Sequence, residues 1–136
     1  MTTSQATATT LTQLSTAMFT VRDQDAALAF YTDVLGFEVR GDQRYGEAGE
    51  DRWLEVAPRG SAARLALNPP MGGDEPGGSA IGVESTDVLA EHARLAARGD
   101  VEVGPTPTRA PGAPLLFGVT DPDGNIVWIV EAEPAE

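Results

Sequence analysis

The fold of this chain is decided by the stretch Val21-Arg-Asp-Gln-Asp-Ala-Ala-Leu-Ala-Phe-Tyr-Thr-Asp-Val-Leu-Gly-Phe37. Acidic residues of the kind that start helices follow Val21, and from Ala27 to Leu35 the apolar residues recur at helical spacing. Gly36 stands where a left-handed helix end is expected. The stretch therefore predicts a helix of about three turns that leads directly into a strand beginning at Phe37.

Strands surround this helix on both sides. Residues 14–21 alternate apolar and polar side chains and are rich in β-branched residues, which indicates a strand before the helix. After it, the same criteria predict strands at 37–40, 52–57 and 63–67, the last two separated by the turn Pro58-Arg-Gly60. The first half of the chain is thus predicted to have the order β-α-β-β-β.

The second half repeats this order. Ser85-Thr-Asp87 supplies capping residues for a helix that runs through Leu89, Ala93, Leu95 and Ala96 and ends at Gly99. The predicted strands are 79–83, 101–103, 115–119 and 126–130, the last two forming a hairpin around Asp121-Pro-Asp-Gly124. Val21 precedes Asp25 by the same interval that separates Val83 from Asp87. We interpret the chain as two copies of one structural unit.

The 136 residues suffice for one domain. We predict an α+β domain over residues 14–136, made of two tandem βαβββ modules and preceded by a flexible N-terminal arm, residues 1–13. The first module covers about 14–67 and the second about 79–131. Prolines and glycines concentrate between them, so residues 68–78 are predicted to be an exposed linker.

The composition excludes several classes of function. The chain has no cysteine and no lysine, and its only histidine is His92, so disulfides, thiolate nucleophiles and Schiff-base chemistry are excluded. The formal net charge of −12 repels nucleic-acid phosphates and anionic lipid, so we expect neither nucleic acid nor a membrane as a partner. We expect a cytoplasmic protein, since no signal-peptide pattern is present. Basic residues that are all arginine indicate a GC-rich bacterial genome.

Two motifs resemble the signatures of the glyoxalase/bleomycin resistance protein/dioxygenase family, the vicinal-oxygen-chelate superfamily. The opening motif is Val21-Arg-Asp23 with Ala29-Phe-Tyr31 and Val34-Leu-Gly-Phe37, and the closing motif is Asp121-Pro-Asp-Gly-Asn125 before an apolar strand that ends at Glu131. The resemblance implies that the two modules form a curled half-barrel sheet around a ligand cavity, in a homodimer.

The resemblance also implies where a metal ion lies in the metalloenzyme members, which hold it with one His, Glu or Gln from each of four strands. The matching positions fall at about Thr16, Ala66, Gly78 and Trp128, and none is a ligand of the expected type. We therefore expect no metal and no cofactor.

Other candidate groups have structural interpretations. His92 lies within the second helix, and we interpret it as a helix-surface residue. Tyr31 belongs to the apolar helix stripe and is predicted to be core, with its hydroxyl at the edge. Asp121 and Asp123 match the needs of a tight turn better than those of a metal site.

An apolar cavity lined by aromatic residues is the remaining functional signal. Thr16, Met18 and Thr20 share one face of the first strand, and the family alignment assigns that face to the ligand. The full set of predicted ligand-binding residues is Thr16, Met18, Thr20, Trp53, Glu55, Phe117 and Trp128, with Arg52 or Glu55 near the rim. Glu55 is predicted to be half-solvated, and Trp128 either lines an open pocket or fills the core.

Three functions remain open at this point. The first is a metal-independent small-molecule binding protein, such as an antibiotic-resistance protein that sequesters a drug. The second is a lyase, isomerase or dioxygenase-type enzyme of the same superfamily, and the third is a regulatory or accessory module. The sequence leaves open whether any reaction is catalysed and does not identify the ligand, and no catalytic residue is assigned.

Overall fold

A computed structural model describes residues 8–133. The first module contains β1 (Thr16–Thr20), α1 (Gln24–Ala29), a π-helix (Phe30–Val34), β2 (Glu38–Tyr45), β3 (Asp51–Ala57) and β4 (Arg64–Asn68). The second module contains β5 (Ala80–Ser85), α2 (Val88–Arg98), β6 (Glu102–Val103), β7 (Leu116–Thr120) and β8 (Ile126–Glu131). The predicted order and the α+β class are confirmed.

Each module forms its own four-stranded sheet. The strand orders are β1-β4-β3-β2 and β5-β8-β7-β6, and in each sheet the first strand pairs in parallel and the others pair in antiparallel. Both sheets are curled and unclosed. The predicted architecture of two βαβββ modules is therefore correct, and β1 and β5 are both edge strands.

Some boundaries differ from the prediction. The strand predicted at 37–40 extends to Tyr45, and Asn68 belongs to β4, so the connection between the modules begins at Pro69. The predicted arm, residues 1–13, lies partly outside the described residues, and its described part, 8–13, forms neither helix nor strand. Within 8–133 no helix is long and apolar enough to cross a membrane.

The helix caps show how the two modules correspond. Asp23 caps α1, because its side chain accepts hydrogen bonds from the amides of Asp25 and Ala26, and Asp87 caps α2 in the same way. Asp23 rather than Asp25 is therefore the counterpart of Asp87, and the predicted correspondence was wrong by two residues. Counted from the caps, Tyr31 occupies the position of Leu95.

A π-helix accounts for a difference in length between the helices. The interval from Asp23 to Gly36 is one residue longer than that from Asp87 to Gly99, yet both glycines end their helix with positive φ. The amide of Leu35 donates to the carbonyl oxygen of Phe30, five residues earlier, so the extra residue is absorbed in one wide turn.

One hydrophobic core joins the modules. It contains aromatic and aliphatic side chains from the helices and from the helix-facing side of both sheets, among them Phe19, Leu54, Leu67, Leu95, Phe117, Val119 and Val127. On α2 the buried residues are Val88 and Leu95, whereas Leu89 is 53% exposed. Of the two leucines that predicted this helix, Leu95 is buried and Leu89 is exposed.

The turn between β7 and β8 fastens the second module to the first. Tyr31 is completely buried, and its hydroxyl donates to Asp121 Oδ2 over 2.9 Å. The side-chain amide of Asn125 donates to the carbonyl oxygen of Thr20, and the amide of Arg22 donates to Asp123. The predicted turn is confirmed, and the Tyr31 hydroxyl lies in the interior rather than at the edge.

Candidate functional site

The side of each sheet that points away from its helix is here called its open face. In the first sheet, alternation and register place on this face the side chains of Thr16, Met18, Thr20, Trp53, Glu55 and Ala66. All of these except Ala66 were predicted to bind the ligand. Trp128 lies on the open face of the second sheet, so six of the seven predicted ligand-binding residues have the expected orientation.

Glu55 is the buried charge of the first open face. Its side chain is 7% exposed, and it accepts hydrogen bonds from Thr16 Oγ1 at 3.1 Å and Arg64 Nη1 at 3.2 Å. The half-solvated environment predicted for Glu55 is therefore wrong, because Glu55 is buried in a central strand and its carboxylate is held by these two partners. A buried carboxylate with an arginine partner is fixed in orientation.

Phe117 lies on the other side of the second sheet. It pairs with Ile129 across the hairpin, is 3% exposed, and packs edge-on against the ring of His92 with centroids 4.9 Å apart. Its side chain therefore points to the face opposite to that of Trp128, although Phe117 is also among the residues that border the groove beside Trp128. Trp128 pairs instead with Gly118, one position away, and adjacent residues of a strand point to opposite faces.

Trp128 lies among glycines on the second open face. Gly104, Gly118 and Gly82 occupy the same row across the sheet, and Trp128 stands between the last two. A Cβ atom at Gly118 would lie 3.2 Å from Trp128 Cζ3, which shows that the indole ring leans over this glycine. Trp128 is 39% exposed, so within one chain it does not fill the core.

A groove of about 480 Å³ runs beside this tryptophan and is here called the Trp128 groove. One wall is the loop that follows β6, and the floor is the open face of β7 and β8. Its lining includes Glu102, Pro105, Pro107, Leu116, Ile126 and Trp128. The lining is mainly apolar and holds one carboxylate and no basic side chain, so it suits an aromatic ligand that is neutral or cationic.

Two contacts hold the loop wall. Arg109 forms an ion pair with Glu131, and the hydrogen bonds from Arg109 lower the pKa of that carboxyl below its ordinary value. At the other end, His92 Nε2 lies 2.9 Å from the carbonyl oxygen of Gly104. His92 is therefore partly buried and bonded, and its interpretation as a helix-surface residue was wrong.

A larger groove, of about 590 Å³, lies beside the edge strands β1 and β5. Its lining includes Ala17, Phe37, Leu65, Ile81 and Val83 and none of the predicted site residues. This groove also carries the charged residues Arg59, Arg64 and Glu84, but it follows two free strand edges. Since it contains none of the predicted ligand-binding residues, we place the candidate ligand site in the Trp128 groove.

The positions that hold metal in metalloenzymes of this fold do not fit a metal ion here. Strand register aligns Ala66 with Trp128 and Thr16 with Ala80, so the fourth position is Ala80 rather than the predicted Gly78. Methyl groups and an indole offer no donor atom, and the Thr16 hydroxyl already bonds to Glu55. Within 8–133 no three acidic or histidine side chains are grouped to hold a metal.

Comparisons with known proteins agree with this architecture. A family model described as the Glyoxalase/Bleomycin resistance protein/Dioxygenase superfamily matches residues 13–129. The uncharacterized protein YetH of Bacillus subtilis (strain 168) is 31% identical over 121 residues, which cover 88% of this chain and 98% of YetH.

Two solved structures are similar over almost their whole length. A member of the same superfamily from Sphaerobacter thermophilus DSM 20745 has a TM-score of 0.80 and 30% identity, covering 90% of this chain and 98% of its own. TnmS3, an antibiotic binding protein from Streptomyces sp. CB03234, has a TM-score of 0.79 and 31% identity, covering 93% and 100%.

Proposed function

The chain belongs to the glyoxalase/bleomycin resistance protein/dioxygenase superfamily, and from that premise we propose that it is a metal-independent small-molecule binding protein. The observation that carries the proposal is the Trp128 groove, where a partly exposed indole ring borders a mainly apolar space of about 480 Å³. Such a surface binds flat apolar groups by stacking and exclusion of water.

The charge of the protein favours one class of ligand. Glu102 is the charged residue in the lining of the groove, Thr120 Oγ1 donates to it over 3.3 Å, and the whole chain carries a net charge of −12. We therefore propose an aromatic ligand that is cationic or neutral. Since the similar protein TnmS3 is an antibiotic binding protein, sequestration of a drug is the specific role that we propose.

We also propose that a second copy of the chain completes the site. Met18, Leu116 and Trp128 are exposed apolar side chains on the open faces, with 60%, 37% and 39% of their surface accessible. At equivalent positions of the two sheets, a large side chain on one sheet corresponds to a small one on the other. Met18 of the first sheet is equivalent to Gly82 of the second, and Trp128 of the second is equivalent to Ala66 of the first. Large side chains of one open face would therefore fit small positions on the other face of a partner.

Light scattering tests the dimer. We expect a mass near twice 14.2 kDa, and Met18→Asp should return it to that of one chain. The control is Leu89→Asp, which places the same charge on α2, at a side chain that is 53% exposed and away from the open faces. A wild-type monomer, or a Met18→Asp variant that stays dimeric, would contradict the proposal.

Binding is tested with two aromatic probes of opposite charge, 9-aminoacridine and anilinonaphthalenesulfonate. Calorimetry should show that the cation, 9-aminoacridine, binds more tightly, and that Trp128→Ala weakens its binding about tenfold. Mass spectrometry should show that the probe is recovered chemically unchanged. Since Trp128 is partly exposed, Trp128→Ala should lower the free energy of unfolding by less than the loss of about 3–5 kcal/mol that follows truncation of an aromatic residue in a packed core. Equal affinity in the variant would refute the site, and chemical conversion of the probe would favour the enzyme alternative.

A further inference from the structure

A hydrogen bond from His92 connects the loop wall of the Trp128 groove to α2. His92 Nε2 lies 2.9 Å from the carbonyl oxygen of Gly104, the residue from which the loop leaves β6. A carbonyl oxygen only accepts hydrogen bonds, so Nε2 must carry the hydrogen and donate it. The contact therefore fixes the tautomer of His92 as well as the position of Gly104.

The His92 ring is itself held in place. It lies at 85° to the ring of Phe117, with the two centroids 4.9 Å apart. Phe117 is 3% exposed in the core, and Val88 and Leu95, which are one turn away on α2, are also buried. Because α2 and β7 hold the His92 ring in place, its hydrogen bond also fixes the backbone of the loop relative to these two elements.

Gly104 is held from two sides. Its amide donates to the carbonyl oxygen of Gly118 over 2.9 Å, while its own carbonyl accepts from His92. Gly118 is the residue over which the Trp128 ring lies. The sheet hydrogen bond and the His92 hydrogen bond together set the distance between the loop wall and the tryptophan.

The sequence after Gly104 gives the loop few other means of attachment. Pro105 and Pro107 have no amide hydrogen, so neither can extend the ladder of hydrogen bonds along β7. The next contact that fastens the loop to the sheet is the ion pair of Arg109 with Glu131, which lies at the surface. Pro107 is buried and holds the middle of the loop by packing, whereas the anchor at Gly104 fixes the point from which the loop leaves the sheet beside Trp128.

We propose that His92 is a positioning residue for ligand binding, which holds the loop wall at the distance from Trp128 that an aromatic ligand requires. His92 does not line the groove, so it acts through Gly104 and not by touching the ligand. This inference rests on the proposed binding function, and it goes beyond it by assigning a role to the one histidine of the chain.

The experiment uses the full natural chain as the reference protein. Two variants are compared in this reference protein. His92→Leu keeps an apolar contact with Phe117 but has no donor, whereas His92→Gln has an amide that donates from nearly the same place. Binding of 9-aminoacridine is measured by calorimetry, and amide hydrogen exchange is measured over residues 105–114.

We expect His92→Leu to weaken binding about five- to tenfold and to speed exchange in the loop, and His92→Gln to stay within about twofold of the reference. Unchanged affinity in His92→Leu would overturn the inference. Equal losses in both variants would also overturn it, since they would show that only ring packing matters. If the reference protein itself fails to bind the probe, the proposed function fails, whereas the exchange data still decide whether His92 anchors the loop.

Discussion

Tyr31→Phe removes one oxygen atom from the junction of the two modules. The ring stays in the core, where it packs against Phe19, Phe30 and Phe37. The hydroxyl donates to Asp121 Oδ2 at 2.9 Å, in a place where neither residue is more than 3% exposed. The substitution therefore leaves the packing intact and deprives a buried carboxylate of one donor.

The expected cost follows from what Asp121 retains. Its Oδ1 still accepts from the amides of Asp123 and Asn125, and its Oδ2 from the side-chain amide of Asn125 at 3.1 Å. A buried acceptor that loses one partner destabilises a protein by about 1–3 kcal/mol, more when it is charged. We expect about 2 kcal/mol, or a melting temperature lower by roughly 8 °C for a domain of this size.

Urea unfolding measures this free energy, and the chain supplies a matched control. Tyr45→Phe deletes the same atom from a side chain that is 42% exposed and whose hydroxyl makes no hydrogen bond within residues 8–133. The control should change stability by less than about 0.5 kcal/mol. If both variants unfold at the same urea concentration as the natural chain, the Tyr31 hydrogen bond does not stabilise the junction, and the reasoning is refuted.

Further outcomes are expected from the same structure. Burial, followed by the negative charge of Asp121, raises the pKa of Tyr31 far above its ordinary value, so Tyr31 should contribute no phenolate absorbance at about pH 10 while the protein is folded. Because the folded protein keeps that proton, stability should be complete below about pH 10 and fall as the pH rises above it, with a smaller fall in Tyr31→Phe. Gly118→Ala should displace the Trp128 ring and shift its emission, since the added Cβ would lie 3.2 Å from it, whereas Gly82→Ala, with a nearest contact of 3.8 Å, should not. Gly77→Ala should lower the free energy of unfolding by about 2 kcal/mol more than Gly72→Ala, a difference typical of strongly destabilising substitutions. Both glycines have positive φ, but only at Gly77 would the added Cβ collide with a backbone oxygen, that of Asp123. Elemental analysis of protein purified without chelator should find no stoichiometric transition metal, and one bound equivalent would show that the ligand strands are misaligned.

The fold could be predicted from local patterns because the signals are redundant. Apolar periodicity, capping acids and helix-ending glycines all indicated the same elements, and the two halves repeated them. The correspondence between the halves was the weaker step. Asp23 and Asp25 are both suitable capping residues, and only the backbone shows that the side chain of Asp23 receives the amide hydrogen bonds.

The site was predicted less well, since it depends on register and on contacts between distant residues. Counting outward from the pair Thr120 and Ile126 at the end of the hairpin would have placed Phe117 opposite Ile129, away from Trp128. That signal was present in the sequence and was missed. The burial of Glu55, in contrast, requires Thr16 and Arg64 from two other strands, and no local pattern shows that they meet.

The anchoring role of His92 had a partial signal. His92 lies four residues after Val88 and three before Leu95, which places it on the buried stripe of α2. The predicted helix was defined by Leu89, Ala93, Leu95 and Ala96 and did not use Val88, so His92 was interpreted as a surface residue. The partner, Gly104, lies beyond the helix and the next strand, and its distance from the ring is a property of the packed structure.

The two halves of this chain are alike in outline but not interchangeable. The turn of the second module reaches a tyrosine on the helix of the first, whereas the matching position on the second helix is Leu95, which has no hydroxyl to offer. The turn of the first module is fastened within its own half, by Arg40 donating to the carbonyl oxygens of Pro58 and Ser61. A chain built from two copies of the second half would therefore bury Asp121 against leucine, so each half has become specialised for its place in the sequence.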